Sequence, residues 1–186
     1  MKNENIRKLS GTALFTALVV VLQLLSNYIS FGPVNITLSL TPIVLGALLY
    51  GPIAGGFLGL VNGAIVLTAP STLGTFMPYN PVATVFICLL KTTIAGVVTG
   101  FIPMIFKKGK LRIFGVILAS LLVPIINTGL FALGSVIFFM DIFGSVEYLF
   151  LTAIGINFLI EFGINALLSP TIYFLFDFYK KRYQQE

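Results

Sequence analysis

The sequence predicts an all-α integral membrane protein with six transmembrane helices and both termini in the cytoplasm. Three observations carry that prediction. Hydrophobic residues make up 58% of the 186 residues and charged residues only 9%, where a soluble domain carries roughly 25% charged. Apolar runs long enough to cross hydrocarbon recur along the chain. Ten of the eleven basic residues fall in three clusters that border those runs: Lys2, Arg7, Lys8; Lys107, Lys108, Lys110, Arg112; and Lys180, Lys181, Arg182. Short cytoplasmic loops keep Lys and Arg, so the net charge of +5 marks a membrane topology and no nucleic-acid surface.

The elements follow in order. The first span is Leu9 to Tyr28; it is long and has no small-x-small cleavage site after it, so it reads as retained rather than as a signal peptide. From Ile36 to Ala69 the chain is apolar for longer than one helix needs, and Gly51-Pro52 divides it into two spans, because proline ends the preceding helix. Pro70 to Tyr79, with two prolines, a glycine and several hydroxyls, reads as a loop. Asn80-Pro81 is an N-cap followed by proline at the first helical position, and that span runs to about Phe106. The fifth span is Ile113 to Phe139. A short acidic loop with Asp141 and Glu147 precedes the sixth, Tyr148 to Phe176. Six spans put all three basic clusters on one side and leave the opposite loops free of Lys and Arg. No linker or low-complexity tract divides residues 1–186, which are expected to form a single transmembrane domain.

Inside the spans, Gly51, Gly55, Gly59 and Gly63 recur every four residues, and Gly96 and Gly100 repeat the spacing. Such stripes let helix backbones approach closely in lipid; internal packing explains them, and a sliding surface is the sharper alternative. Ala13 and Ala17 form a weaker small-xxx-small pair, suited to packing within the chain or to docking on a partner helix. Cys88 reads as a small core residue.

Lys91 and Glu161 are the only ionisable groups deep in the spans, where a charge costs ~3 kcal/mol or more unless it meets a cavity or a counter-charge. At 1.5 Å per residue both lie ~16–20 Å from the outer ends of their helices, a depth at which they can meet. An ion pair and a direct ligand contact are both open readings. Asn80, Thr84 and Lys91 share one face of the fourth span, and Asn157, Glu161 and Asn165 one face of the sixth. Asn62 and Asn127, the latter near Pro124, add amides from the third and fifth spans. Four helices that turn amide or charge inward point to a polar pocket with apolar walls. The candidate binding set is Asn80, Thr84, Lys91, Asn127, Asn157 and Glu161. There is no His, no phosphate loop, no metal-ligand cluster and no nucleophile elbow, so neither an enzyme nor a cofactor or metal site is expected.

The whole chain resembles the substrate-binding S component of energy-coupling factor (ECF) transporters, the bacterial vitamin importers. The residues that carry the resemblance are Ala13-Leu-Phe-Thr-Ala17, the stretch Thr41 to Gly59 with its Gly-Pro-x-x-Gly turn, and Asn80-Pro81 followed by Leu90-Lys91 and Ala95-Gly96. The resemblance implies a six-helix substrate-binding domain in the bacterial plasma membrane. It also implies a transmembrane coupling protein that docks on the Ala13/Ala17 face, and two cytoplasmic ATPases that energise uptake. Ligand contacts would come from the outer parts of the fourth to sixth helices and the outer loops. Absence of Trp counts against a wide flat ring, and Lys91 with the amide stripes suits a small acid bearing hydroxyls and an amide. The segment Thr41 to Gly59 resembles pantothenate-type S components. Pantothenate is the expected vitamin, with riboflavin or another vitamin next. A stand-alone secondary transporter using Lys91 and Glu161 as an ion relay is the competing class.

Overall fold

The computed structural model describes residues 2–31, 34–106 and 109–183. Six helices of more than ten residues dominate: α1 (Lys2–Ser26), α2 (Leu40–Tyr50), α3 (Pro52–Val66), α4 (Pro81–Ile105), α5 (Gly109–Phe138) and α6 (Gly155–Tyr183). The all-α expectation holds apart from a two-residue-per-strand antiparallel hairpin, β1 (Ser30–Phe31) and β2 (Val34–Asn35), between α1 and α2. Lys107 and Lys108 of the middle basic cluster lie outside the described residues.

Four helical stretches are long and apolar enough to cross a membrane: Glu4–Ser26, Pro81–Ile105, Lys110–Phe138 and Val146–Arg182. The other two spans expected from the sequence are shorter. α2 has 11 residues and α3 has 15, ~16 and ~22 Å of helix, against a hydrocarbon core of ~30 Å. The reason lies in their surroundings. α2 packs against each of the other five helices, and Leu40, Ile43, Val44 and Ala47 are wholly buried. It is apolar because protein surrounds it, not because lipid does.

Two further stretches differ from expectation. Pro70 to Tyr79 is largely helical, with a wide π-type turn at Thr72–Phe76 running into a short turn at Met77–Tyr79. The acidic segment likewise forms short helices at Met140–Phe143 and Val146–Tyr148, followed by a second wide turn at Leu149–Ile154. At this end of the bundle the Tyr79 hydroxyl donates to the Asp141 carboxylate, which holds the phenol above its ordinary pKa.

Gly51 has φ +94°, a left-handed conformation that glycine adopts without penalty, and Pro52 opens α3 directly after it. No atom lies near where a Cβ at residue 51 would stand, so this glycine is needed for the turn, while its backbone closes the packing stripe against Gly100, whose Cβ would run into Gly51 and Pro52. The other three glycines pack as expected. A Cβ on Gly55, Gly59 or Gly63 would run into the backbone of Gly96, Thr92 or Cys88 respectively. The matching four-residue steps lock α3 antiparallel to α4, and the Thr92 hydroxyl donates to the Gly59 carbonyl at 2.8 Å.

The basic residues gather at the other end. Lys8 pairs with Glu4 at 2.7 Å, while Asp177 accepts from both Arg112 (3.1 Å) and Lys181 (2.8 Å). The start of α1, the start of α5 and the end of α6 thus meet at one end of the bundle.

Candidate functional site: a polar chamber beside α4

Two adjoining cavities open at the end of the bundle away from the basic clusters. One, of ≈ 30 Å³, is bordered by Gln23, Thr84, Ile87 and Phe139 among others. The second, of ≈ 10 Å³, is bordered by Asn127, Thr128, Asn157 and Glu161. Val34, Asn35, Thr37, Lys91 and Phe131 border both and form the wall between them. A water needs roughly 10–15 Å³ of such space. In this conformation the chamber is therefore a polar seam with room for a water or two, too small for an organic ligand until its wall moves.

Five of the six candidate residues line this chamber. Thr84 is buried, and its hydroxyl donates to the Asn80 carbonyl at 2.7 Å. Asn157 donates to the Ala153 carbonyl at 3.0 Å. Asn127 is 2% exposed and its side-chain oxygen has no hydrogen-bond partner among the described residues; a buried acceptor left so costs ~1–3 kcal/mol. Asn80 is the exception. Its side-chain oxygen accepts from the Ala83 amide at 3.1 Å, it borders neither cavity, and it caps α4. Residues 80, 84 and 91 do share one helical face. The cap, however, turns the Asn80 side chain back on its own helix end.

The two buried charges do not pair directly. No salt bridge joins Lys91 to Glu161 among the described residues. Glu161 is held instead by neutral donors: the Thr37 amide at 2.7 Å and the Thr128 hydroxyl at 3.4 Å. The first bond ties the segment after the hairpin to the second turn of α6. Asn165 continues the stripe, donating to the Glu161 carbonyl at 2.9 Å and accepting from Thr41 at 3.3 Å. Lys91 is 7% exposed, and its ammonium stands 5.1 Å from the centre of the Phe131 ring. A ring face attracts a cation but leaves its N–H donors without acceptors. Lys91 therefore contributes a positive centre on the chamber wall. Glu161 borders the same cavity as Lys91 without pairing with it.

Sequence reasoning missed Gln23, Asn35, Thr37, Thr128 and Phe131. Gln23 near the end of α1 and Asn27 just beyond it begin a buried network. Gln23 donates to Asn27 at 2.9 Å, and the Ser39 hydroxyl lies within hydrogen-bond reach of the side-chain oxygens of Gln23, at 2.8 Å, and of Asn62. Polar side chains at i and i+4 of an apolar helix were the available signal for that pair. The hairpin residues gave none.

A different surface holds the alanine pair. Ala13 lines an open apolar groove of ≈ 770 Å³ between α1 and α3, with Leu9, Ile53, Ala54 and Phe57. Both Ala13 and Ala17 are exposed.

A family model described as the substrate-specific component of ECF transporters matches residues 7–173. The pantothenic acid transporter PanT of Lactococcus lactis subsp. cremoris (strain MG1363) is 28% identical over 190 residues, covering 92% of this chain and 94% of that protein. No solved structure matches the chain.

Proposed function

Because the chain belongs to the family of ECF transporter substrate-specific components, we propose that it captures a water-soluble vitamin, pantothenate, for an ATP-driven importer of the bacterial plasma membrane. The observation that carries the choice of ligand is Lys91. A buried ammonium with no carboxylate in contact is an expensive feature in a membrane interior, and a ligand carboxylate is the group that would repay it. Pantothenate brings that carboxylate together with an amide and hydroxyls. Asn127 and Asn157 face the same chamber, and Thr84 borders its other half. The relative named PanT supports the same choice.

In this reading α1 and α3 hold the transmembrane coupling protein in the groove beside Ala13, and two cytoplasmic ATPases supply the energy. The basic end of the bundle faces the cytoplasm, the six helices form one substrate-binding domain, and the vitamin enters from outside. Entry requires the hairpin segment to move, because the chamber is otherwise too small. The Thr37–Glu161 hydrogen bond is the contact to be broken.

The test is direct. Purified chain, titrated with pantothenate and with riboflavin by calorimetry, is expected to bind pantothenate one to one and to ignore riboflavin. Binding of riboflavin alone would replace the vitamin, and binding of neither would remove both as the ligand. Bulky residues at Ala13 and Ala17 should abolish uptake and complex formation while leaving that binding nearly intact. Equal loss of binding would return the alanine face to the internal fold.

A further inference from the structure

Most polar groups that border the smaller chamber cavity are already engaged. Asn35 donates to the Asn27 carbonyl at 2.6 Å, and Asn157 to the Ala153 carbonyl at 3.0 Å. Glu161 accepts from the Thr37 amide at 2.7 Å and from the Thr128 hydroxyl at 3.4 Å. Two groups differ. The Lys91 ammonium faces the Phe131 ring at 5.1 Å and makes no hydrogen bond among the described residues. The buried side-chain oxygen of Asn127 meets no donor among them. Both residues border the one cavity, and they are not bonded to each other. Lys91 stands on α4 and Asn127 on α5, two long helices that pack along one another. Neither belongs to the hairpin wall, so their spacing is kept when that wall gives way.

A ligand that satisfies both groups brings an anionic oxygen to Lys91 and an N–H or O–H to Asn127. The cavity between them is no larger than about one water, so these two ligand groups must lie close together. In pantothenate the amide N–H is separated from the carboxylate by two methylenes, whereas both hydroxyls lie beyond the amide carbonyl. Resting on the pantothenate reading, we infer that Asn127 is a specificity-determining residue that accepts the amide N–H, beside the carboxylate held by Lys91. The acid half of the vitamin, and not its hydroxyl half, fills this cavity. The site is then selective for N-acylated β-amino acids as a class. A buried acceptor without a donor is a cost to the ligand-free chain, and a site that keeps one rejects ligands lacking the matching N–H.

The experiment uses the full chain in uncharged detergent, titrated by calorimetry with pantothenate and with its ester isostere, in which oxygen replaces the amide N–H. The unaltered chain is expected to bind the ester at least ten-fold more weakly than the amide. Asn127→Leu should weaken pantothenate at least ten-fold and bring amide and ester within two-fold of each other. Without ligand, the thermal midpoint of Asn127→Leu should be kept or raised, because the unmet acceptor is gone. If that variant does not fold, Asn127→Ala takes its place for the ratio of amide to ester binding. Equal binding of amide and ester by the unaltered chain would overturn the contact while leaving pantothenate as the ligand. Undiminished discrimination in the variant would move the contact to another residue. A ligand-free midpoint several degrees lower in Asn127→Leu would show that Asn127 serves the fold, through a bond to Lys91 or another group. No pantothenate binding by the unaltered chain would remove pantothenate as the ligand, and this contact with it.

Discussion

The two faces of α4 are built to opposite specifications. Toward α3 the contact is backbone on backbone: Cys88, Thr92 and Gly96 lie against Gly63, Gly59 and Gly55 with no room for even one added methyl group. Toward α5 and α6 the same helix turns Thr84, Ile87 and Lys91, and the packing is incomplete, with cavities lined by amide and charge. In lipid no hydrophobic effect drives helices together, so tight van der Waals contact is what fixes a helix in place. The difference teaches a division of labour. One face of α4 is sealed so that the other can stay open at defined positions.

The largest expected effect comes from breaking the sealed face. Gly59→Leu would push a side chain into the Thr92 and Thr93 backbone, which cannot yield as a flexible side-chain tip can. Overpacking of this kind costs ~3 kcal/mol or more where backbone must move. Loss of monodisperse protein, or a large fall in the thermal midpoint, is expected. Gly134→Ala on the facing surface of α5 meets the Ile87 side chain, at Cδ1, Cγ1 and Cγ2, instead of backbone; Ile87 borders a cavity, and a smaller cost, ~1–2 kcal/mol, is expected. Similar costs at the two positions would erase the contrast between the faces.

The next effect tests the open face. Lys91→Met should weaken pantothenate binding at least a hundred-fold, ~2.7 kcal/mol, since the ligand carboxylate loses its buried counter-charge. Stability should fall little, because Met fills similar volume and Glu161 keeps its bonds from Thr37 and Thr128. The double change with Glu161→Gln separates the two readings of the charges. If they serve only to neutralise each other, the double variant regains affinity. If Lys91 meets the ligand, affinity stays low at near-native stability. Calorimetry and thermal unfolding on both single variants and the double distinguish the two outcomes.

What was legible in the sequence follows the same division. Helix breaks at Gly51-Pro52 and Asn80-Pro81, and the close packing of Gly55, Gly59 and Gly63, were readable because backbone chemistry dictates them locally. Depth was readable too, since 1.5 Å per residue set Lys91 and Glu161 at similar levels. The direction each side chain takes around its helix relative to its neighbours was not readable, and that decides whether equal depth means contact. An apolar run does not say whether lipid or protein surrounds it, so the short, enclosed α2 read as a full span. Prolines and hydroxyls at residues 70–79 signalled a loop. Pro78, however, sits in the first turn of a short helix, where its missing amide costs nothing.

Asn80 carries the smallest expected effect, because the N-cap role read from the sequence occupies its side chain. Its side-chain oxygen accepts the Ala83 amide at 3.1 Å while its backbone is extended, as an N-cap requires. Asn80→Ala removes that acceptor at the start of α4 and should cost ~1 kcal/mol of stability. Ligand affinity should change less than about three-fold, because the Thr84 hydroxyl still has the residue-80 carbonyl to donate to and Lys91 lies almost two turns beyond Thr84. Asn80→Asp offers the complementary check. A carboxylate caps as well as the amide and favours the positive end of the helix, so stability should be kept or slightly raised. A ligand contact through the Asn80 amide nitrogen would instead be lost in both variants. A matched drop in affinity for Ala and Asp would restore Asn80 to the binding site and extend the open face of α4 to its first residue. Unchanged affinity in both would end that face at Thr84.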